Sequence, residues 1–283
     1  MTDCSLLLEV TVGDKDADPV FAGGVPELYE RHLVPLIFEP YAVDLAARME
    51  SRREGSVLEV AAGTGVVTRV LADRLPIDVA ITASDLNQPM VDHAASLGTS
   101  RPVTWRQADV MDLPFPDSSF DAVICQFGVM FFPDRSMAFA EINRVLRPGG
   151  VFLFNTWDRN STNEFADVVT DAAATVFPDD PPRFLARTPH GYFDHAQIQH
   201  DVADGGFDER ATAIEVLEAR SRADSCEIPA IAYCQGTPLR NEIEARDPNG
   251  LARATEVATA ALRARFGDGP IEGRISAVVV TAR

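Results

Sequence analysis

The sequence predicts an α/β protein built around a doubly wound, mostly parallel sheet. Between Ser56 and Trp157, short apolar stretches alternate with helical patterns. Such alternation is typical of βαβ units, in which helices cover both faces of parallel strands. A turn with two glycines, "AAGTG", follows the first of these strands directly, where doubly wound folds commonly bind a ligand.

The elements follow from hydrophobic periodicity, in chain order. Residues 26–50 carry apolar residues at helical spacing, and Pro35 and Pro40 are expected to break them into two or more helical pieces. The alternating part predicts strands at 56–61, 79–85, 103–109, 120–127 and 151–157, with helices at 64–75, 88–97 and 135–146. Beyond Trp157 the patterns indicate a helix at 161–177, a short helix capped by Asp194, a strand at 210–219, helices at 227–246 and 249–265, and a strand at 273–283.

Because no clear linker interrupts the chain, we expect one α/β domain with helical elaborations. Residues 1–50 form an N-terminal helical segment in this interpretation, and residues 51–283 form the main domain. Helical additions at about 158–205 and 226–266 carry none of the strand-end motifs described below. We expect them, with the N-terminal helices, to close over the strand ends and build a substrate site.

Composition excludes several classes of partner. The formal net charge of −18 repels phosphate backbones and anionic lipid, which disfavours nucleic-acid and membrane-surface roles. No stretch is long and apolar enough to suggest a stable membrane insertion. The only lysine is Lys15, so a lysine Schiff base elsewhere and a P-loop lysine are both excluded. The arginine-rich basic set is typical of a GC-rich, bacterial coding background.

Neither the cysteines nor the histidines predict a metal site. Cys4, Cys125, Cys226 and Cys234 lack metal-binding spacing, and Cys125 lies in an apolar run as a buried free thiol would. His190, His195 and His200 are five residues apart, which matches no helical ligand pair. The first residues lack a signal-peptide pattern, so we expect a reducing, cytoplasmic location. The oligomeric state cannot be deduced from these patterns.

The glycine turn predicts a ligand with opposite charges at one end. Gly63 and Gly65 allow close backbone approach and lead into a helix with free N–H groups. A dinucleotide fingerprint needs glycine or alanine where this sequence has Thr68. A pyrophosphate would also lie near the Glu59 carboxylate, which is unfavourable. An amino-acid zwitterion, with its ammonium near Glu59 and its carboxylate near the helix N-terminus, satisfies both charges.

Three further strand ends carry polar residues that complete one ligand. Asp85 lies 20 residues after Gly65, the spacing at which an acidic side chain accepts hydrogen bonds from ribose hydroxyls. Asp109 can accept from an exocyclic adenine amine, although Asp112 lies close enough to serve instead. Gln126 ends a strand that aromatic residues follow. Zwitterion, ribose and adenine together predict S-adenosyl-L-methionine as the cofactor.

With these strand ends identified, the chain resembles the class I S-adenosylmethionine-dependent methyltransferases of type 11. This group includes the ubiquinone/menaquinone biosynthesis methyltransferases. The residues that carry the resemblance are "VLEVAAGTG", "ASDLNQPMV", "QADVMDLPFPDSSFDAVICQFGVMFFPD" and "EINRVLRPGGVFLFNTW". It covers 56–157 closely and the remainder in outline. It implies a Rossmann-like doubly wound seven-stranded sheet, mostly parallel, with the last strand antiparallel.

The resemblance also implies a set of cofactor-binding residues. The methionine end would contact Glu59, Ala61, Gly63 and Gly65, and the ribose would contact Asp85. Leu86 and Met90 would pack on the adenine, Asp109 and Val110 would bind its edge, and Gln126 would lie along the cofactor. The family's first loop glycine is Ala61 here, and its methyl group is expected to be tolerated at some cost in cofactor affinity.

We therefore expect a methyltransferase that acts on a small organic acceptor by in-line displacement, with no catalytic base identified. The quinone-pathway similarity suggests an aromatic or lipid-like acceptor. The run "FGVMFF" at 127–132 is either a substrate wall or core, and Tyr29 is a candidate for contact with the cofactor carboxylate. Two alternatives stay open at this stage: a nicotinamide-dependent oxidoreductase, and a non-catalytic cofactor-binding protein that kept the fold.

Overall fold

Seven strands form one mixed sheet. A computed structural model describes residues 25–283 and gives the strands as β1 (Gly55–Glu59), β2 (Val79–Asp85), β3 (Thr104–Gln107), β4 (Phe120–Gln126), β5 (Leu146–Trp157), β6 (Ala213–Ala223) and β7 (Ile271–Ala282). Their order across the sheet is β3-β2-β1-β4-β5-β7-β6. The first five strands pair in parallel, and β7 is antiparallel to both of its neighbours. The predicted fold, with its antiparallel last strand, is confirmed.

Helices connect and cover these strands. Their bounds are α1 (Val25–Leu28), α2 (Glu39–Met49), α3 (Val66–Arg74), α4 (Gln88–Leu97), α5 (Arg135–Val145), α6 (Glu164–Val176), α7 (Phe184–Arg187), α8 (His195–Asp204), α9 (Glu227–Gln235), α10 (Leu239–Arg246) and α11 (Gly250–Phe266). A π-helical segment, Tyr29–Phe38, joins α1 to α2. Lys15, Cys4 and residues 1–24 of the predicted N-terminal segment lie outside the described residues.

Three sequence predictions about these elements need correction. Pro35 does not break the N-terminal helix, because the chain widens there into the π-helical segment; Pro40 begins α2, where its missing N–H costs nothing. The "RPGG" turn is part of β5, as a bulge: Phe120 pairs with Leu146, but Ala122 pairs with Val151. The predicted helix at 227–246 is two helices, separated at 236–238.

Strand alternation divides the core between the two faces of the sheet. Val57, Ala122 and Leu153 face a cluster that contains buried residues of α2 and α3. The neighbouring residues Leu58 and Val123 face the larger cluster, which includes residues of α5, α6, α8, α9 and α11. A side-chain period of two in a strand requires this division, and the near-continuous apolar strands follow from burial on both faces. None of the described helices is long and apolar enough to cross a membrane.

A buried amide anchors the chain after β5 to strand β7. Asn163 is 1% exposed, and its side-chain N–H groups donate to the carbonyl oxygens of Asp158, Arg159 and Ser276, each at 3.2 Å. Its Oδ1 accepts from the backbone N–H of Ser276 at 3.0 Å. The Asn163 side chain therefore hydrogen-bonds both the β7 backbone and the first residues of the 158–205 addition, and it fixes the position of that addition.

We expect Asn163→Ala to lower the free energy of unfolding by about 1–3 kcal/mol, because the buried N–H of Ser276 would lose the Asn163 oxygen that accepts from it. The Ser276 carbonyl keeps the N–H of Asp158 as its partner. Urea denaturation measures this loss. Asn241→Ala, on the exposed surface of α10, is the control and should change stability by less than about 0.5 kcal/mol. A loss in Asn163→Ala no larger than in the control would contradict the anchoring role.

Candidate active site

A cavity opens at the carboxyl ends of the parallel strands, where β1 lies between β2 and β4. Strand order reverses at β1 and β4, because the chain adds β2 and β3 on one side and β5 on the other. Loops at such a switch point diverge and leave a crevice. The cavity holds about 940 Å³, part of it open to solvent. Eight of the ten predicted cofactor residues line it: Ala61, Gly63, Asp85, Leu86, Met90, Asp109, Val110 and Gln126.

The glycine turn lies in left-handed conformations that set the floor of this cavity. Ala61, Gly63 and Gly65 have φ of 52°, 55° and 80°. Ala61 adopts this conformation although it is not glycine, and its methyl group lies in space left by Gly128: a Cβ at Gly128 would be 2.5 Å from the Ala61 Cβ. The sequence therefore accommodates the Ala61 methyl group by omitting a side chain opposite it.

Gly65 shapes the turn without reaching the cavity. It precedes α3 directly, and a Cβ there would lie 2.7 Å from Cη2 of Trp105. Gly65 is absent from the cavity wall, and its direct contact with the ligand stays a prediction. Arg69 on the same helix donates to the carbonyl of Thr64 and to the carboxylate of Glu30, both at 2.6 Å. This pairing ties the N-terminal helical segment to the glycine turn.

The Asp85 carboxylate joins two loops at the cavity wall. Its Oδ2 accepts from the backbone N–H of Gly63 at 2.8 Å, and its Oδ1 accepts from the backbone N–H of Asn87 at 2.8 Å. Burial raises its pKa, and these hydrogen bonds oppose the rise. Oδ1 also accepts from the side-chain Nδ2 of Asn87 at 3.3 Å, so of the roughly four lone-pair sites of the carboxylate, Oδ2 keeps one. Asp85 thus braces two loops and lines the cavity.

Glu59 lies beneath the turn, and its contact with a ligand ammonium stays a prediction. The residue is 1% exposed and is absent from the cavity wall. Its carboxylate accepts from the hydroxyl of Thr68, on the α3 side of the sheet. Burial raises the pKa of Glu59 to about 8, although the Thr68 hydrogen bond and the nearby Arg69 charge lower it. The position of Glu59 beneath the turn follows from strand geometry: the last side chain of β1 points towards a helix, not along the strand axis.

The remaining predicted residues divide between the cavity's interior and its rim. Met90 and Gln126 are buried, and Gln126 Oε1 has no hydrogen-bond partner among the described residues. Leu86 is 47% exposed, an unusual fraction for leucine, and it lies at the rim. Asp109 also lines the cavity, with Oδ1 accepting from the N–H of Met111 at 2.9 Å. Asp112, the alternative at this strand end, is not part of the wall.

A second cavity adjoins the first and shares Tyr29, Phe127 and Phe131 with it. It holds about 550 Å³, part of it open to solvent. Its wall comes from all three segments that carry no strand-end motif: Leu33, Ile37 and Phe38 from the N-terminal helices; Asn163, Phe184, Leu185, Pro189 and His190 from the first addition; and Tyr233, Thr237 and Pro238 from the second. Trp157, the last residue of β5, completes it.

A stacked aromatic pair forms the boundary between the two cavities. The rings of Phe127 and Trp157 lie 3.7 Å apart with 5° between their planes, and Tyr41 packs edge-on against both. Phe127 has a φ of 51°, which is unusual for a bulky residue. Its N–H donates to the side-chain Oδ1 of Asn155 at 2.9 Å. The run 127–132 therefore contains both wall and core, because Val129 and Met130 are buried while Phe127 and Phe131 line the cavities.

The structure separates the three histidines that the sequence analysis grouped. His190 is buried on the second cavity, whereas His195 and His200 lie exposed on α8. Residues 25–283 contain no group of three or more metal-ligating side chains suited to an ion. Cys125 is a buried free thiol, as predicted, and burial raises its pKa.

Several wall residues carried no sequence signal of their own. Trp157, Asn163 and Tyr233 sit on three different elements, and each reads as ordinary core in its local pattern. Tyr29, which the sequence suggested as a ligand contact, lies on both cavities. The one available signal was indirect: these residues belong to the segments that the strand-end motifs leave unassigned.

Comparisons with known proteins agree with this geometry. A family model described as a methyltransferase domain matches residues 58–154. The ubiquinone/menaquinone biosynthesis C-methyltransferase UbiE of Teredinibacter turnerae is 32% identical over 201 residues, which cover 66% of this chain and 76% of that protein. The demethylmenaquinone methyltransferase of Thermus thermophilus is 39% identical over 111 residues, which cover 38% of this chain and 49% of that protein.

Solved structures share the fold at lower identity. Phosphoethanolamine N-methyltransferase 2 of Haemonchus contortus, in complex with phosphomonomethylethanolamine and S-adenosylhomocysteine, aligns with a TM-score of 0.58 at 17% identity, covering 96% of this chain and 60% of that one. The YcgJ protein of Bacillus subtilis aligns with a TM-score of 0.54 at 19% identity, covering 86% and 97%.

The strand-end cavity, the family match and the bacterial relatives define one class of enzyme. The chain belongs to the S-adenosylmethionine-dependent methyltransferase family that includes the UbiE-type C-methyltransferases. It is a methyltransferase that uses S-adenosylmethionine. The resemblance seen in the sequence is confirmed, and the oxidoreductase and non-catalytic alternatives are set aside.

The buried Glu59 carboxyl predicts a pH-dependent stability. Its folded pKa of about 8 lies above the ordinary value of 4.5, so the stabilisation that it provides is complete below about pH 4.5 and is lost as the pH rises through about 8. A glutamine is neutral in both states and lacks this dependence. We therefore expect Glu59→Gln to gain stability relative to the native protein, by a few kcal/mol at most, as the pH rises from about 5 to about 8.5.

Urea denaturation at several pH values measures this difference. Glu54→Gln, at an exposed position just before β1, is the matched control, and its stability should parallel that of the native protein. Parallel curves for Glu59→Gln and the native protein would show that the Glu59 carboxyl is ionised in both states.

Proposed function

We propose that this methyltransferase binds its cofactor in the strand-end cavity and methylates a small, largely apolar organic acceptor held in the second cavity. The observation that carries this proposal is the shared wall of Tyr29, Phe127 and Phe131. Two ligands that meet across a shared wall can bring a methyl donor and its acceptor into line. The three segments predicted to form the acceptor site all contribute to the second cavity, which supports the same assignment.

The residues present fit the cofactor in shape and in polarity. Ala61 and Gly63 offer close backbone approach to the methionine end, and Asp85 keeps acceptor capacity at Oδ2 for a ribose hydroxyl. Gln126 supports the fit independently, because its buried Oε1 has no hydrogen-bond partner among the described residues and would accept from donors of a bound cofactor. Glu59 and Gly65 act in this proposal through the turn, by holding its conformation from below.

The adenine end would lie between Leu86, Met90 and Val110, with Asp109 at its edge. Three of these side chains are apolar, and all four line one cavity. The exposure of Leu86 supports this role, since a bound adenine would cover an otherwise exposed leucine side chain.

The composition of the second cavity limits the chemistry of the acceptor. Among the described residues its wall contains no aspartate, glutamate, lysine or arginine side chain, and eight of its residues are aromatic or histidine. A charged acceptor would lose its hydration there without a compensating partner. The phosphate-bearing ligand of the nematode neighbour therefore has no counterpart site on this wall. A flat, neutral, aromatic acceptor suits the cavity and agrees with the quinone-pathway names of the relatives.

The protein's own contribution to catalysis is positioning. When bound, S-adenosylmethionine supplies an activated methyl group on a sulfonium. The stacked rings of Phe127 and Trp157 hold the acceptor in a fixed position beside the bound methyl group, and the apolar wall of the second cavity excludes water. Orientation of this kind contributes roughly 7–11 kcal/mol at most to lowering a barrier. In-line displacement needs this alignment more than it needs a base. A cytoplasmic location stays a prediction.

The test of the cofactor site is a calorimetric titration with S-adenosylmethionine and S-adenosylhomocysteine. We expect Asp85→Asn to weaken both ligands by about tenfold or more, because the amide replaces one acceptor oxygen and removes the charge. Asp92→Asn makes the same change in charge on the exposed side of α4 and should leave both affinities within about twofold.

Equal affinities for the native protein and Asp85→Asn would contradict the assigned ribose contact. NADH in a parallel titration tests the dinucleotide alternative, and binding of NADH without either sulfur ligand would overturn the proposed cofactor site.

A further inference from the structure

Within the proposed acceptor cavity, on which this inference rests, we infer that His190 is a specificity-determining residue: its Nε2 accepts a hydrogen bond from a hydroxyl group on the acceptor. Membership of the family shows that the protein is a methyltransferase and does not identify the residue that selects its acceptor. The inference rests on the position, tautomer and charge of one buried ring.

His190 is a polar residue on an apolar wall. The side chain is 5% exposed and lines the second cavity beside Trp157, with 5.8 Å between the ring centroids. The loop that carries it, between α7 and α8, is fixed to the end of β5 by two hydrogen bonds. Thr156 Oγ1 donates to the carbonyl of Tyr192 at 2.8 Å, and the His190 ring contacts the carbonyl of Asp158. The ring is therefore held in place from outside the cavity.

The contact with Asp158 determines the tautomer. His190 Nδ1 lies 2.8 Å from the backbone carbonyl oxygen of Asp158, and a carbonyl oxygen can only accept. Nδ1 must carry the proton in this hydrogen bond. In the neutral ring, Nε2 then holds a lone pair, and it has no hydrogen-bond partner among the described residues. The ring thus presents an acceptor, not a donor, to a ligand.

The charge state keeps this acceptor available near neutral pH. Burial lowers the pKa of His190 to about 4, although the carbonyl and the carboxylate of Asp158 raise it. Apart from histidine, the titratable groups on the same cavity are Tyr29 and Tyr233, and burial raises the pKa of both, so they stay neutral. Because this imidazole is a weak base, it orients a hydroxyl and does not remove its proton.

An unpaired acceptor on an apolar cavity wall discriminates strongly between ligands. A ligand that fills the cavity and carries a hydroxyl donates a hydrogen bond to Nε2. A ligand of similar shape without a donor displaces water from Nε2 and forms no hydrogen bond in its place. Sites built to bind a hydroxyl reject the analogue that lacks it for this reason. The expected ligand is therefore a neutral aromatic ring with a hydroxyl group.

The test uses the intrinsic fluorescence of Trp157. The chain contains two tryptophans, so Trp105→Phe leaves Trp157 as the reporter beside the cavity. The protein is saturated with S-adenosylhomocysteine, whose binding is measured separately by calorimetry. The two probes are para-propylphenol and propylbenzene. In the native background we expect the phenol to bind about tenfold more tightly or better.

His190→Asn is the decisive variant, because the asparagine Nδ2 can replace Nδ1 as donor to Asp158 while the acceptor at Nε2 is removed. We expect its preference for the phenol to fall to about twofold or less, with propylbenzene affinity, cofactor affinity and melting temperature close to native. His190→Gln, whose amide oxygen can reach the position of Nε2, should keep a preference for the phenol.

The outcomes separate this inference from the proposed function. Binding of both probes by the native protein with less than about a twofold preference would overturn the role of His190 and leave the cavity assignment standing. A native-like preference in His190→Asn would also overturn it. If S-adenosylhomocysteine binds but neither probe does, the acceptor cavity fails and this inference fails with it.

Discussion

The parallel pairing of β1 with β4 is the constraint on which the rest of this structure depends. The chain runs from β1 to β2 on one side of the sheet and from β4 to β5 on the other, so the loops that follow β1 and β4 diverge. The crevice between those loops is the strand-end cavity. The hydrogen bond from Gly63 to Asp85 then fixes the loop after β1 to the end of β2. Every proposed cofactor contact depends on that spacing.

Buried polar groups around the crevice differ in how they are paired. Glu59, Asn163 and the side-chain oxygen of Asn155 make hydrogen bonds within the protein, and these bonds hold loops at fixed positions. The buried Asn155 Nδ2 and Gln126 Oε1 have no hydrogen-bond partner among the described residues, and of these two residues Gln126 lines a cavity. An unpaired buried acceptor costs free energy, so we expect a ligand to pair with Gln126 Oε1.

The aromatic boundary couples the two cavities through a strained backbone. Phe127 holds a positive φ, and the Asn155 side chain and the stack on Trp157 both stabilise that conformation. Strain of this kind persists only where surrounding contacts determine it. Because Phe127 faces both cavities, a change in its ring position would alter the space available on either side. Cofactor and acceptor are then expected to influence each other's fit through this one residue.

The sequence by itself determined the sheet, its switch point and most of the proposed cofactor wall. Apolar alternation located the first five strands, and apolar runs beyond Trp157 indicated the last two. Residues that end parallel strands must meet at one edge, which brought Asp85, Asp109 and Gln126 together. The tertiary structure decided which side chains lie beneath the carboxyl ends of the strands and which segments cover them. Glu59 accepts a hydrogen bond from Thr68, Gly65 lies against Trp105, and segments far apart in the chain enclose His190 with Trp157 and Tyr233. The physical reason is that strand periodicity is a local property, whereas the orientation of a buried side chain depends on the volume and polarity of non-local neighbours.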